Sequence, residues 1–332
     1  MSSRIFVTGV SGYIGGQTVK ALVEKHPDYE IIALVRNEQQ AGAVKATWPH
    51  VTTVIGDLDS KELLAQEGAK ADVVLQMASS YHIATGCSII EGMAAGKKGH
   101  FVHTSGTGIL HEVPNGYGNP SQKQYSDVDD IGEILSLDLS GIHRDSDAAI
   151  IAAGEKHGVP TAIILQIPFF IDAFLKRGKG FTIGAGNNTW DNIHIQDLAL
   201  AYVLLVEEAL KGANGSATWS REGYYFATAA EHKWGEVARE IAKIAHERGA
   251  LPTPDIDELS VEAASEIHPL APLGWGGNCR SRPDRLHALG WKASGPSLFE
   301  CLPEMVDVEL QAAAAQSSAT TLDSRLQGTS KS

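Results

Sequence analysis

Three glycines near the N terminus stand at a spacing suited to holding a phosphate. Residues 8–15 are Thr-Gly-Val-Ser-Gly-Tyr-Ile-Gly, after a strand-like run and before a helical pattern, so the chain must turn tightly there. Such a turn brings a helix N-terminus, with its unpaired N–H groups, to a pyrophosphate; the alternative is a glycine-rich turn without a ligand. The candidate contacts are Gly9, Ser11, Gly12, Tyr13, Ile14 and Gly15.

The residue that ends the second predicted strand bears on which nucleotide would bind. The run Glu30–Val35 is followed by Arg36 and Asn37. An acidic side chain here would hydrogen-bond the adenosine ribose, whereas the fork of an arginine matches a 2′-phosphate. We therefore predict NADP(H) rather than NAD(H), with a solvated arginine at a strand end as the competing interpretation.

Two further strand ends would lie beside this turn. Asp57 and Leu58 follow the third strand, where the Asp57 carboxylate would accept a hydrogen bond from the adenine amino group. The alternative is that Asp57 caps the next helix. Met77 and Ala78 follow the fourth strand, where small residues would let the cofactor pass. These four residues extend the predicted cofactor site.

The elements that position these residues alternate between strand and helix. Short apolar runs rich in β-branched residues alternate with segments rich in Ala, Leu, Glu and Lys, as in a parallel sheet with right-handed crossovers. The predicted fold class is α/β, a Rossmann doubly wound parallel sheet. Its predicted strands are Ile5–Thr8, Glu30–Val35, Thr52–Gly56, Val73–Met77, His100–Thr104 and Thr161–Gln166, and its helices are Ile14–Lys25, Lys61–Ala69, Cys87–Ala95 and Ser146–His157.

The second half of the chain predicts a smaller C-terminal α/β lobe for the substrate. We expect a nucleotide-binding domain at 1–166 and a substrate-binding lobe at 167–311, some of whose strands and helices return to the first domain. The segment Pro252–Asn278 is expected to be irregular, and the Ala/Ser/Thr/Gln-rich tail at 312–332 to be disordered. The lobe's predicted elements are the strands Ile193–Ile195 and Tyr224–Ala227 and the helices Leu198–Leu210, Trp234–Glu247 and Pro296–Leu310.

Composition narrows the class of protein. Lys and Arg number 27 against 40 Asp and Glu, a formal charge of −13, which argues against a nucleic-acid partner. No apolar run approaches the roughly 20 residues that span a bilayer, and no signal peptide is visible, so we expect no membrane partner. The three cysteines, Cys87, Cys279 and Cys301, show neither a disulfide framework nor a zinc spacing. We therefore expect a cytoplasmic protein without a metal site.

The motifs together resemble the extended short-chain dehydrogenase/reductase family, whose members include epimerase- and dehydratase-like proteins. Thr104-Ser105 resembles the family's Thr-Ser-Ser segment, and Leu165–Phe170 resembles its Leu-Arg-Pro segment. Ile193–Ala199 resembles its His-Val-x-Asp-Val-Ala signature, and Leu289–Lys292 its Leu-Gly-Trp-x-Pro ending without the proline. The likeness extends from Ile5 to about Val308 and does not identify the substrate.

The resemblance carries further expectations. The backbone near Pro168 and Phe170 would face the nicotinamide amide, as in the family. His194 and Asp197 would be structural and would position the second lobe. Family members usually form homodimers through two long helices, which here would be Cys87–Ala95 and Ser146–His157.

The family's catalytic pair, Tyr-x-x-x-Lys, is absent from this chain. Alignment by surrounding pattern places His143 at the tyrosine position and Asp147 at the lysine position, at i and i+4 of a helix. Asp147 would then raise the pKa of His143, which would donate a proton as hydride arrives, and Asp147 would also accept from ribose hydroxyls. The alternative is a structural Asp–His pair at a polar helix start.

Other polar residues are candidates for contact with the substrate. The hydroxyls of Thr104 and Ser105 would hydrogen-bond the reacting oxygen, or else cap the end of a strand. Tyr81 would line the same cleft, or else be an ordinary loop residue. Arg280 and Arg282 would bind an anionic substrate, as sugar-nucleotide relatives bind a pyrophosphate, or else be solvated surface groups.

Three functions are compatible with these features. The leading hypothesis is an NADPH-dependent reductase acting on a carbonyl, imine or conjugated double bond of a small organic molecule, because a complete second lobe with loops suited to closing a cleft is typical of an enzyme. The missing pair favours the alternatives. These are an NADP(H)-binding sensor or regulator without turnover, and an isomerase, epimerase or lyase that uses the cofactor transiently or as a scaffold.

Overall fold

The computed structural model describes residues 2–166 and 171–328, without the side chains of Gln166 and of 315–328. Pro168 and Phe170, predicted to face the nicotinamide, lie outside the described residues. Thirteen β-strands occur in the described ranges. In chain order they are β1 (Arg4–Thr8), β2 (Glu30–Val35), β3 (Thr52–Ile55), β4 (Val73–Gln76), β5 (His100–Gly106), β6 (Tyr125–Ser126), β7 (Thr161–Gln166), β8 (Gly180–Ile183), β9 (Thr189–Asn192), β10 (Tyr224–Phe226), β11 (Ala230–Lys233), β12 (Ile256–Leu259) and β13 (Ser281–Arg282).

Seven of these strands form one parallel sheet in the order β3-β2-β1-β4-β5-β7-β10. The order reverses at β1, where Val7 pairs with Ala33 on one side and Leu75 on the other. A reversal of this kind opens a crevice at the carboxyl ends of the strands, where nucleotides bind in doubly wound folds. The sheet confirms the predicted fold class.

Helices cover both faces of the sheet. Alternate residues of each strand face opposite sides, so Phe6 and Phe101 enter one core while Val7 and Val102 enter the other. The described helices, in chain order, are α1 (Tyr13–Lys25), α2 (Glu38–Thr47), α3 (Lys61–Lys70), α4 (Ile83–Ala95), α5 (Ile131–Ser136), α6 (Arg144–His157), α7 (Asp172–Arg177), α8 (Ile195–Leu210), α9 (Trp234–Glu247), α10 (Val261–Ile267), α11 (Asp284–Ala288) and α12 (Leu298–Gly328). Helices α1 and α8 pack on one face, and α3, α4 and α6 on the other.

The second lobe is built from short strand pairs and α9 and α12. Strand β8 pairs with β12, β9 with β11, and β6 with β13. The lobe has its own core, in which the rings of Phe181 and Trp275 meet edge to face with centroids 5.1 Å apart. Helix α8 and strand β10, which lie within 167–311, pack on the central sheet instead.

Buried amides fasten the lobe to the loop that follows β5. The Asn278 side chain accepts from the Ser121 N–H at 3.1 Å and the Thr189 N–H at 2.9 Å, and donates to the Asn119 carbonyl at 2.8 Å. The Asn188 amide donates to the Gly277 carbonyl at 2.6 Å. Because these groups are buried, their hydrogen bonds hold the lobe against the carboxyl edge of the sheet.

Two predictions about secondary structure were wrong. The strand predicted at Ile193–Ile195 does not form, because the His194 side chain accepts from the Gln196 N–H and starts α8. The segment expected to be irregular, 252–278, contains β12 and α10. Helix α12 extends to Gly328, and the disorder expected for 312–332 stays a prediction.

Candidate functional site

The glycine turn after β1 is shaped by steric need. Gly9 has a φ of +85°, and a Cβ there would lie 2.7 Å from the backbone of Met77 and Ala78. A Cβ at Gly15 would lie 2.1 Å from the Gly9 carbonyl oxygen. The turn, the end of β4 and the start of α1 therefore approach more closely than any residue with a side chain would allow.

Helix α1 begins with its N–H groups uncovered. Its N-cap, Gly12, supplies no capping side chain, and the first turn holds no acidic residue. The N–H groups of Tyr13, Ile14 and Gly15 have no acceptor within the helix. Ser11 and Tyr13 are exposed, so the helix end can receive a phosphate, which its dipole favours.

Arg36 stands exposed where β2 ends. Its backbone N–H donates to Gln40 Oε1 at 2.8 Å, and among the described residues its guanidinium forms no ion pair. Asn37 is the N-cap of α2, and its side-chain oxygen accepts from the Gln40 N–H at 2.9 Å. The side chain of Asn37 thus has a structural role, whereas that of Arg36 is available.

The next two strand ends continue the same edge. Asp57 Oδ1 accepts from Ser60 Oγ at 2.7 Å and from the Asp59 N–H at 3.0 Å, so the carboxylate shapes the turn before α3. Leu58 is half-buried, and its carbonyl accepts from the Thr85 hydroxyl at 2.8 Å. Met77 is buried and Ala78 exposed. With Gly9 beside Met77, these residues form one row along the carboxyl edge.

The hydroxyls at the end of β5 do not face the crevice. Thr104 Oγ1 lies 2.5 Å from the Tyr202 hydroxyl on the α8 side. Ser105 is buried next to the Asp147 carboxyl on the α6 side. Successive strand residues face opposite layers, so both hydroxyls enter packed cores. The structure therefore differs from the prediction that the hydroxyls of Thr104 and Ser105 contact the substrate. The next residue in the chain, Gly106, is half-exposed.

His143 occupies the space beside Gly106. It is the N-cap of α6 with a φ of +61°, and its Nε2 lies 2.7 Å from where a Cβ on Gly106 would stand. The Tyr81 ring packs on the imidazole with centroids 4.4 Å apart. Burial lowers the pKa of His143, and only the charge of Asp145 opposes it. The imidazole is therefore neutral near pH 7, in contrast to the predicted imidazolium.

Asp147 faces the core rather than the crevice. It is fully buried, accepts from the Tyr224 hydroxyl at 3.2 Å, and stands near Arg144, whose Nη1 donates to the same hydroxyl at 3.0 Å. Burial raises the pKa of Asp147 to about 7, although the neighbouring Ser105 hydroxyl and the Arg144 charge each act to lower it. The predicted Asp147–His143 relay is wrong in this structure, because His143 caps the helix in a left-handed conformation and Asp147 lies on the inner face.

A second buried acid escaped the sequence analysis. Asp191, in β9, is 2% exposed and accepts from the hydroxyls of Ser281 and, at 3.3 Å, Thr228. Burial raises the pKa of Asp191 to about 7, and the Glu231 charge adds to this. Cys279 nearby donates its thiol to the Thr107 carbonyl at 2.8 Å. In the sequence, Asp191 is marked only by its place directly after Trp190, and that position does not reveal that its carboxyl is buried.

The two arginines proposed for an anionic substrate are already paired. Arg280 forms a two-point ion pair with Glu231, with both N–O distances 3.0 Å. Arg282 pairs with Asp129 and Asp284, each at 2.8 or 2.9 Å. By contrast, Asp197 behaves as the resemblance implied, since its carboxylate accepts from the backbone of residues 294 and 295 and ties the C-terminal segment to α8.

Among the described residues, no helix is both long enough and apolar enough to cross a bilayer. No group of three or more metal-ligating side chains occurs in the same part of the chain.

Comparison with known proteins agrees with the fold and the site. A family model described as NAD(P)H-binding matches residues 9–133, which contain the glycine turn and Arg36. A dTDP-glucose 4,6-dehydratase from Bacillus anthracis, solved with NAD, superposes with a TM-score of 0.63 at 15% identity, covering 92% of this chain and 96% of that one. The Bordetella bronchiseptica enzyme WbmH, solved with NAD+, gives 0.62 at 17%, covering 91% and 97%. These likenesses define an NAD(P)H-binding protein of epimerase/dehydratase-like fold.

Curated relatives extend the likeness along nearly the whole chain. The protein named Oxidase ucsJ, from Acremonium sp., is 31% identical over 343 aligned positions, covering 94% of this chain and 99% of the relative. A protein of Schizosaccharomyces pombe is 28% identical over 317 positions, covering 89% and 97%. The chain belongs to the extended short-chain dehydrogenase/reductase family, as an atypical member without the Tyr-x-x-x-Lys pair.

Proposed function

We propose that the chain is an NADP(H)-dependent oxidoreductase that acts on a carbonyl, imine or conjugated double bond of a small organic molecule. The observation that carries the cofactor choice is Arg36, whose exposed guanidinium forms no ion pair in the described ranges and stands where an acid would repel a 2′-phosphate. The uncovered start of α1 supports pyrophosphate binding. The name of the Acremonium relative, an oxidase, agrees with a redox reaction.

We assign the handling of the proton to His143. Bound NADPH would supply a hydride, and the group beside the reacting oxygen must supply or remove a proton. A neutral imidazole accepts the proton of an alcohol when the reaction runs toward the carbonyl, and the same ring returns it in the reverse direction. His143 lies beside the half-exposed Gly106, at the carboxyl end of β5.

The cofactor assignment is tested by Arg36→Asp. We expect the Kd for NADPH to rise about 100-fold, because a charge-assisted fork is lost and a repulsive carboxylate gained, and the Kd for NADH to change less than about threefold. Lys45→Asp, an exposed charge reversal in the last turn of α2, is the matched control. Equal losses for both nucleotides would remove the assignment.

Turnover is tested with the full chain, NADPH and a panel of aldehydes, ketones and imines, followed by the near-ultraviolet absorbance of NADPH. Consumption of NADPH with at least one of them is expected. Tight binding without consumption would favour a sensor. The burial of Asp147 supports that alternative, because the pattern alignment assigns it to the family's lysine position and its carboxyl accepts from Tyr224 in the core.

An isomerase, epimerase or lyase remains the third candidate. The structural relatives include a dehydratase and an epimerase by name, although their low identity supports the fold alone. Such a reaction would convert substrate without net consumption of NADPH. Product analysis alongside the absorbance assay separates it from the proposed oxidoreductase.

A further inference from the structure

Three chain segments meet beside His143 at the end of β5, and their contacts there are apolar. Gly108 marks the meeting point: a Cβ on it would lie 3.5 Å from Ile142 Cγ2 and 3.8 Å from Leu273 Cδ2. Tyr81, from the loop after β4, packs its ring on the imidazole of His143. The loop before α6, the second lobe and the loop after β4 therefore each bring an apolar group to this place.

Each of the three segments also leaves a large apolar side chain exposed. Tyr81 is 62% exposed, Leu139 56% and Leu270 43%. Leu139 precedes Ile142 by three residues, and Leu270 precedes Leu273 by three. Exposed apolar groups carry a cost in hydration free energy unless something covers them, and contiguous patches of them mark binding grooves. We refer to these three exposed side chains as the rim.

The nearby cations of the second lobe are not free to hold an anion. Arg280 uses Nε and Nη2 on Glu231, and its Nη1 donates to the Ser121 carbonyl at 3.0 Å. Arg285 donates to the Asp127 carbonyl at 2.8 Å and pairs with Glu222 at 2.6 Å. A phosphate would have to compete with carboxylates and carbonyls that already occupy the guanidinium N–H groups in two-point or multiple contacts.

We infer that the substrate is an uncharged, largely apolar organic molecule, held against the wall formed by Tyr81, Ile142 and Leu273 with its reacting group at His143. This inference rests on the proposed function, since it names the substrate class of the same site. The wall supplies apolar contact area, and His143 supplies the polar contact that orients the reacting oxygen, which is the usual composition of a small-molecule pocket. A nucleotide sugar would find no unpaired arginine among Arg280, Arg282 and Arg285.

The test uses the full chain saturated with NADPH and two probes. Nile red, an uncharged apolar dye, is titrated by fluorescence, and UDP-glucose, an anionic nucleotide sugar, by calorimetry. We expect saturable dye binding and no heat from UDP-glucose. Absence of saturable dye binding, or UDP-glucose binding tighter than that of the dye, would overturn the inference.

Three single substitutions test where on the protein Nile red binds. Tyr81→Asp and Leu270→Asp place a charge at exposed positions; Tyr81→Asp also removes the ring that packs on His143, whereas Leu270→Asp leaves that contact in place. Each is expected to weaken dye binding at least about tenfold, because apolar area is replaced by a charge. Val308→Asp, a 55% exposed position on α12, is the matched control and should change it less than about twofold. Equal dye affinity in all four proteins would overturn the inference.

NADPH affinity, read from nucleotide fluorescence in the same proteins, separates the two proposals. Unchanged NADPH binding in every variant, combined with rim-dependent dye binding, supports both. Normal NADPH binding without rim-dependent dye binding overturns the substrate class and leaves the oxidoreductase standing. Failure of the unsubstituted chain to bind NADPH defeats the proposed function itself.

Discussion

The two ends of the sheet's carboxyl edge are built on different principles. At the ends of β1 and β2, the groups available to a ligand are backbone N–H groups and an exposed guanidinium, and glycines create the space. At the ends of β5 and β10, the polar groups are buried side chains, with two carboxyls whose pKa burial raises to about 7. The first end preserves the family pattern, while the second replaces it.

The difference shows where a fold tolerates change. A backbone cradle depends on the absence of side chains, so any substitution at its glycines collides with neighbouring backbone. At the other end, the chain lacks the family's Tyr-x-x-x-Lys pair and holds His143, whose pKa burial lowers, and Asp147, a buried aspartate that accepts from Tyr224.

The largest effect is expected from Gly15→Ala. Its Cβ would lie 2.1 Å from the Gly9 carbonyl oxygen, so the turn must move and NADPH affinity should fall more than about 100-fold, measured by calorimetry. Gly42→Ala, whose Cβ meets nothing within 4 Å on exposed α2, should leave affinity unchanged and add about 0.5–1 kcal/mol of stability.

Gly12→Ala sharpens this prediction. Its Cβ contact, 3.3 Å from the Gly9 carbonyl oxygen, is milder, so a smaller loss of affinity is expected in a protein that still folds, as judged by circular dichroism. Wild-type NADPH affinity in Gly15→Ala would show that the cradle is not where the nucleotide binds.

His143→Ala tests the other end of the edge. Once a substrate is known, kcat should fall about 100-fold or more while the Kd for NADPH stays within about twofold, because the ring acts on the proton and not on the nucleotide. In the unsubstituted protein, alcohol oxidation should slow as pH falls through the pKa of His143, which burial sets below its usual range.

The exposed His50 provides the matched control, since His50→Ala removes an imidazole far from β5 in sequence. Full turnover in His143→Ala would exclude the ring as the proton carrier. A pH profile without a decline on the acid side would do the same for its neutral form.

Asp191→Asn probes the buried acids through stability. A carboxyl whose folded pKa is raised from 3.8 to about 7 stabilises fully below the unfolded pKa and loses that contribution as pH rises through the folded pKa. The wild type should therefore lose up to about 4 kcal/mol from this group between about pH 4 and about pH 8. Because the amide of the variant cannot ionise, its free energy of unfolding, measured with urea, should not show this contribution to the decline over the same pH range.

The comparison of the wild type with Asp191→Asn isolates Asp191, because Asp147 contributes to the pH dependence of stability with the same sign in both proteins. Glu62→Gln, an exposed carboxyl in the first turn of α3, is the control and should leave the pH dependence unchanged. Parallel stability curves for the wild type and Asp191→Asn would show that Asp191 is ionised in the folded protein.

The smallest effect is expected from Asp147→Asn on cofactor binding. Asp147 is fully buried and bonded to Tyr224, so it cannot touch the nicotinamide ribose, and the NADPH Kd should change less than about twofold. The asparagine oxygen can still accept from the Tyr224 hydroxyl. A tenfold loss of affinity would restore the ribose contact that the sequence suggested.

The elements of the first domain were largely predictable from the sequence. Strands β2 and β7 match their predicted bounds, β1 begins one residue earlier than predicted, and β3, β4 and β5 differ only at their C-terminal ends. Fully buried parallel strands are continuous apolar runs, which stand out without any tertiary information. The short strands of the second lobe were mostly missed, because two to four residues carry too little periodicity.

The sequence by itself determined the glycine cradle, the bounds of most strands of the parallel sheet and the family resemblance, since glycine spacing and apolar runs are local properties. Only the tertiary structure decided which polar groups are usable. In the folded chain, the side chains of Thr104 and Ser105 lie in the cores on opposite faces of the sheet. Asp147 and Asp191 are buried, and His143 lies beside Gly106. Burial and charge pairing arise from residues distant in sequence, and those two quantities set the protonation and accessibility on which chemistry depends.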